Sequence, residues 1–219
     1  MLYSIFSSKL ELYIDTYTKG LKKQANAEIT DLIEFLFELS PTDRDPLLTR
    51  FLSDYCDAHK WDELKKRGSG DMPYELKQYI IVWLTPRCEQ KKMPELRWYY
   101  ELYLDNSTAC DCERALAYLD LAYLSSACDQ RTTDLLFDSY LGTLDWGAHH
   151  FPDGCIIEKD TACYCMKKCD EILDEKPVSE HLVKQLDYYK KLYACFDRFT
   201  ADGRVRPFDD YLAEAGIKH

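Results

Sequence analysis

The feature that most constrains this chain is the spacing of its apolar side chains, which recur at intervals of three and four. The longest clean example is Leu182, Leu186, Tyr189, Tyr193 and Phe196. Steps of three and four place side chains on one face of an α-helix, whereas a strand would need strict alternation. Phe6, Leu10, Tyr13 and Tyr17 repeat the pattern near the start, and Ile29, Ile33 and Leu36 follow. Further stripes are Leu48, Phe51, Leu52 and Tyr55, then Leu76, Tyr79, Ile80 and Trp83, then Leu96, Tyr99, Tyr100 and Tyr103. The run from Glu113 to Leu124 is apolar nearly all round, which suits a helix in the middle of a bundle. Leu136, Tyr140 and Leu144 make a seventh stripe, Cys165, Cys169 and Ile172 an eighth, and a short helix is expected near Phe208 to Ala215. No pair of alternating segments competes, although Cys155 to Lys159 has the composition of one short extended piece.

Punctuation agrees with this reading. Eight glycines and eight prolines in 219 residues are too few for a turn-rich β architecture. Pro41 is expected to stop the second helix, Asp45 to cap the third and Pro46 to open it. Pro86 is expected to end the fourth helix, and Pro94 to open the fifth. Asp111, Asp129 and Ser179 are N-cap residues for later helices. The fold class expected is therefore all-α: an irregular α-solenoid or helical bundle of nine to ten antiparallel helices. Lys65 to Pro73 combines a charge run, two glycines and a proline, so it marks a surface loop. It divides an N-terminal helical subdomain, 1–64, from a body of 73–219, unless the two form one continuous domain.

Helix six resembles the second helix of a tetratricopeptide repeat, with Ala115, Leu119 and Ala122 at the small-large-small spacing of that family. Trp98 in the preceding helix is similar to the first-helix tryptophan, and Cys165, Cys169 and Ile172 echo the second-helix spacing. The resemblance covers roughly a third of the chain. It implies a protein-binding scaffold without catalysis.

The net charge is −11. From Asp111 to the end 21 acidic and 13 basic side chains leave −8, while Trp61 to Cys110 is neutral, with eight of each. An acidic chain repels phosphate backbones, so no nucleic-acid partner is expected. A basic protein suits the acidic part, and its most concrete form is an immunity- or antitoxin-like role. The first residues lack a basic leader with an apolar core, and no long uncharged apolar run follows. A cytoplasmic location with no membrane partner is expected, with the ten cysteines reduced and mostly filling the core.

One stretch stands apart, "WGAHHFPDGC", Trp146 to Cys155. Gly147 is expected to loosen a helix end, Pro152 to forbid continuation, and Asp153 with Gly154 to turn the chain. Trp146 and Phe151 have the apolar surface to pin the turn to the core. His149, His150 and Asp153, beside those two aromatics, also compose a contact surface for another protein, one sensitive to pH through imidazole. The alternative is a metal-binding enzyme or sensor. His149, His150, Cys155, Cys163, Cys165 and Cys169 are ligand types, and Cys165 and Cys169 share a helix face. Zinc is the metal such a set would take, but neither Cys-x-x-Cys nor His-Glu-x-x-His occurs, so no cofactor is expected. No catalytic set is assigned. Arg97 with Lys91 and Lys92, where a guanidinium stands beside Trp98, is the candidate for a minor anion site.

Overall fold

The computed structural model describes residues 1–60, 72–105 and 111–217. The loop expected at Lys65 to Pro73, where the subdomain boundary was placed, falls mainly outside the described residues, as does Cys110. Among the described residues there are ten α-helices and no strand, so the fold is all-α. No helix among them is long and apolar enough to cross a membrane.

The chain forms two compact units, Met1–Ser125 and Ser126–His219. The first contains α1 (Leu2–Thr18), α2 (Lys22–Glu38), α3 (Pro41–Leu52) with a π-helical turn at Ser53–Asp57, α4 (Tyr74–Glu89), α5 (Glu95–Asp105) and α6 (Cys112–Leu124). Consecutive helices pack in pairs, α1 on α2, α4 on α5 and α5 on α6, while α2 packs on α4 across the 61–71 stretch. Phe6, Leu32, Leu36, Leu48, Phe51 and Leu76 are buried where α1 to α4 meet, and the rings of Phe6 and Phe51 meet edge-on at 5.0 Å. Ala115, Leu119 and Ala122 of α6 are wholly buried. Leu116 and Leu124 are exposed, however, so α6 is not covered all round as its composition suggested. It packs chiefly on α5 within its unit.

Three prolines behave differently from expectation. Pro41 is the first residue of α3, after Ser40 in extended conformation, and Pro46 lies inside that helix. Pro86 lies inside α4, which continues to Glu89. A helix-interior proline removes one hydrogen bond, here the one to the Val82 carbonyl, and the helix nevertheless runs on, with side chains bonded to the carbonyls on either side of Val82. Thr85 Oγ1 donates to the Ile81 carbonyl at 2.8 Å, and Arg87 Nη1 to that of Trp83 at 3.0 Å.

The second unit contains α7 (Gln130–Ala148), α8 (Lys159–Glu175), α9 (Glu180–Ala201) and α10 (Phe208–Glu214). Asp129 caps α7 by accepting from the Thr132 N–H at 2.8 Å, as Asp111 caps α6 through Arg114 at 2.9 Å. α7 packs on α8 and on α9. α9 buries a second face, Leu192, Cys195 and Phe199, against Phe208, Tyr211 and Leu212 of α10. Of Cys155 to Lys159, the one candidate extended piece, residues 155–158 form part of an irregular link and Lys159 opens α8. The nine described cysteines are all free, and Cys56, Cys88, Cys165, Cys169 and Cys195 are buried.

Candidate functional site

The stretch Trp146 to Cys155 forms the corner between α7 and α8. His149 N–H donates to the Trp146 carbonyl at 3.3 Å as the helix ends, and Gly154 N–H to the His150 carbonyl at 3.1 Å as the turn closes. Ile156 N–H then returns to the Gly147 carbonyl at 3.0 Å, tying the exit of the turn to the last turn of α7. Arg204 donates to the Asp153 carbonyl at 3.1 Å from the link between α9 and α10.

Gly147 is not a loosened end. It is buried within α7, and a Cβ there would stand 2.2 Å from the Tyr193 hydroxyl and 2.5 Å from Ile157. The absent side chain lets α7 lie against α9 and the returning link. Tyr193 uses that hydroxyl to donate to the Leu144 carbonyl at 2.8 Å. Burial, with Cys155 nearby, raises the phenol above its usual range. Next to it, the Tyr189 hydroxyl donates to Asp145 at 2.8 Å.

The two aromatics of the corner part company. Phe151 stacks on Phe196 with centroids 4.0 Å apart and packs against the α9–α10 core, so it anchors the corner. Trp146 is 60% exposed, and instead of pinning the turn it lies parallel to the His149 ring, 6.0 Å away with 7° between planes. His149 meets His150 edge-on at 5.2 Å. Trp146, His149, His150 and Asp153 are therefore exposed together on a corner held from below by Gly147 and Phe151.

The metal-ligand set does not assemble. Cys165 and Cys169 are 3% and 0% exposed, whereas both histidines face solvent. Burial raises both thiols, Cys169 to about 12, which disfavours the thiolate a metal needs. No three His, Cys, Asp or Glu side chains among the described residues are grouped to hold an ion. Cys155 and Cys163 line a cavity of about 250 Å³ between α8 and α9, with Lys159, Lys190 and Tyr193. Neither histidine lines it, so Cys155 there has no imidazole base.

The anion candidates are also apart in role. Arg97 is buried and binds Asp57 at 2.7 Å and Glu101 at 3.2 Å, while Trp98 Nε1 points at the same Asp57. Lys91 and Lys92 are exposed, Lys91 in the left-handed region just past α4. Sequence reasoning missed a second concavity, beside α4 in the first unit. Its signal was that Tyr79, Val82 and Trp83 exceed what one buried stripe requires.

The chain matches no family model, no curated protein and no solved structure.

Proposed function

We propose that this chain is a non-catalytic, cytoplasmic protein-interaction module, with the corner at the end of α7 as a contact surface in the second unit. The observation that carries the reading is Trp146, 60% exposed and lying parallel to the His149 ring on a pinned corner. A large aromatic with two side-chain torsions loses little conformational freedom when a partner covers it, and such residues dominate binding energy at interfaces. A basic partner fits, because residues 126–219 carry 18 acidic and 12 basic side chains. In its narrowest form the role is that of a helical, tetratricopeptide-like scaffold covering a basic toxin, as an immunity protein does. The buried thiols suit a reducing compartment.

The experiment is affinity capture from the native host, with the whole chain as bait at low and at high salt. The reading predicts one basic partner at stoichiometric yield, released as salt rises. Capture of nothing at low salt contradicts it.

A further inference from the structure

The first unit holds a groove of about 520 Å³ along α4, with Ile33 and Phe37 of α2 on one wall and Arg44 of α3 on another. Its floor is a continuous stripe of α4: Tyr79, Val82, Trp83 and Pro86, with Glu75 at one end and Arg87 at the other. The spacings of three and four make this a full helix face, running about 18 Å at 1.5 Å per residue. The face that α4 buries carries Leu76, Ile80, Leu84 and Cys88, and Trp83 under the groove is itself only 8% exposed. Phe37 and Val82 on the groove are 69% and 72% exposed. Phe37 is braced edge-on against Tyr79 at 5.0 Å, and the Tyr79 hydroxyl donates to the Leu36 carbonyl at 3.1 Å, so the apolar wall is built in place.

Charge says what the groove takes. Asp45 is the carboxylate serving both arginines, and it is committed to one side. It accepts from Trp83 Nε1 at 2.8 Å and from Arg87 Nη2 at 2.5 Å, and Arg87 also lies 3.9 Å over the Trp83 ring. Arg44 is left with Asp45 at 3.9 Å and a 3.5 Å contact from Nη1 to the Tyr79 hydroxyl. Among the described residues its Nε has no hydrogen-bond partner. That Nε is buried and turned toward Asp45, so the Nη groups of Arg44 are the ones that a carboxylate beside the apolar floor would meet.

We infer that this groove binds an amphipathic helical segment of a partner protein, whose apolar side chains at i, i+3, i+4 and i+7 lie along Phe37 and Val82 and whose acidic side chain pairs with Arg44. Helix-in-groove recognition uses this combination of an apolar trough and a flanking charge. Glu75 repels an acidic group at its own end and so sets the direction of the segment. The inference rests on the reading of the chain as a protein-binding module, but it uses a different unit from the Trp146 corner.

The test selects binders from a displayed library of random 16-residue peptides on the whole chain. It then measures the winners on Val82→Lys and Arg44→Gln variants shown by circular dichroism to be folded. Selected peptides should share the i, i+3, i+4, i+7 apolar spacing with an acidic residue. Each substitution should weaken them about tenfold or more, and Trp146→Ala should leave them unchanged. Peptides without that pattern, or binding indifferent to Val82→Lys and Arg44→Gln, overturn the inference. So does a wild-type dimer that Val82→Lys converts to monomer, because a second copy then fills the groove. Failure here with native partner capture intact removes the groove alone. Loss of native capture with peptides still bound removes the corner alone.

Discussion

The Asp134 carboxylate accepts both the backbone N–H of Ser179, at 2.9 Å, and its hydroxyl, at 2.6 Å. Ser179 holds the N-cap position of α9 but does not cap the helix with its own side chain. A residue of α7 fixes the chain there instead, and Gln130 one turn earlier donates to the same carboxylate and to the Pro177 carbonyl, each at 3.0 Å. Asp134→Ala leaves a donor pair and a helix entry without their acceptor, and should cost about 1–2 kcal/mol. Ser179→Ala keeps the N–H bond and should cost less. Urea denaturation midpoints of the two variants check the order.

Gly147→Ala tests the close approach of α7 and α9. Alanine ordinarily favours a helix interior over glycine by about 1 kcal/mol. Here the added methyl meets the Tyr193 hydroxyl and Ile157 well inside contact distance, and overpacking costs about 1–3 kcal/mol. The variant should therefore be less stable. Tyr193→Phe removes one of the two obstacles, so the double variant should lose less than the sum of the singles in thermal melts.

Acid stability should depend on Asp54. Burial alone would raise its pKa, but hydrogen bonds from Lys60 and from Tyr3 outweigh burial and hold the carboxyl below its usual value. A carboxyl depressed in the folded state contributes stability above its unfolded pKa and loses that contribution as pH falls through the folded value. Asp54→Asn should thus be less stable than wild type at neutral pH, with the difference shrinking below the ordinary carboxylate range. Tyr3→Phe should show a smaller effect in the same direction, since Lys60 remains. Denaturation midpoints measured across that acid range test both.

Thiol accessibility should split along burial. Cys112 and Cys163 are exposed, whereas Cys88 and Cys169 are wholly buried and both are pushed up to about 12 by burial. An aromatic disulfide reagent at mildly alkaline pH should modify the exposed pair quickly and reach Cys88 and Cys169 only on unfolding. Mass mapping of the labelled peptides at successive times reads this out.

The helices were legible because burial follows spacing: Leu182, Leu186 and Tyr193 face inward as their intervals require. The caps at Asp111 and Asp129 were legible because a short acidic side chain satisfies N–H groups one turn ahead. The interior prolines were not, since a proline reads as a helix stop in the sequence, whereas α3 and α4 run through Pro46 and Pro86. Nor was the second buried face of α9, because Leu192, Cys195 and Phe199 acquire meaning only when α10 folds back on them. At the corner, composition marked the residues that form the turn but not their division of labour. Phe151 went inward and Trp146 outward because Phe196 offers a parallel ring on one side only. The tetratricopeptide-like spacing marks buried positions on α6 and α8, which close packing of any helix pair demands.

The corner itself is tested most directly by titrating the captured partner, by calorimetry, into the whole chain and into Trp146→Ala with His149→Ala. If the exposed indole stacked on His149 anchors the complex, the double variant should bind about tenfold more weakly or worse, while melting within about 0.5 kcal/mol of wild type. Equal affinity for both chains would contradict it.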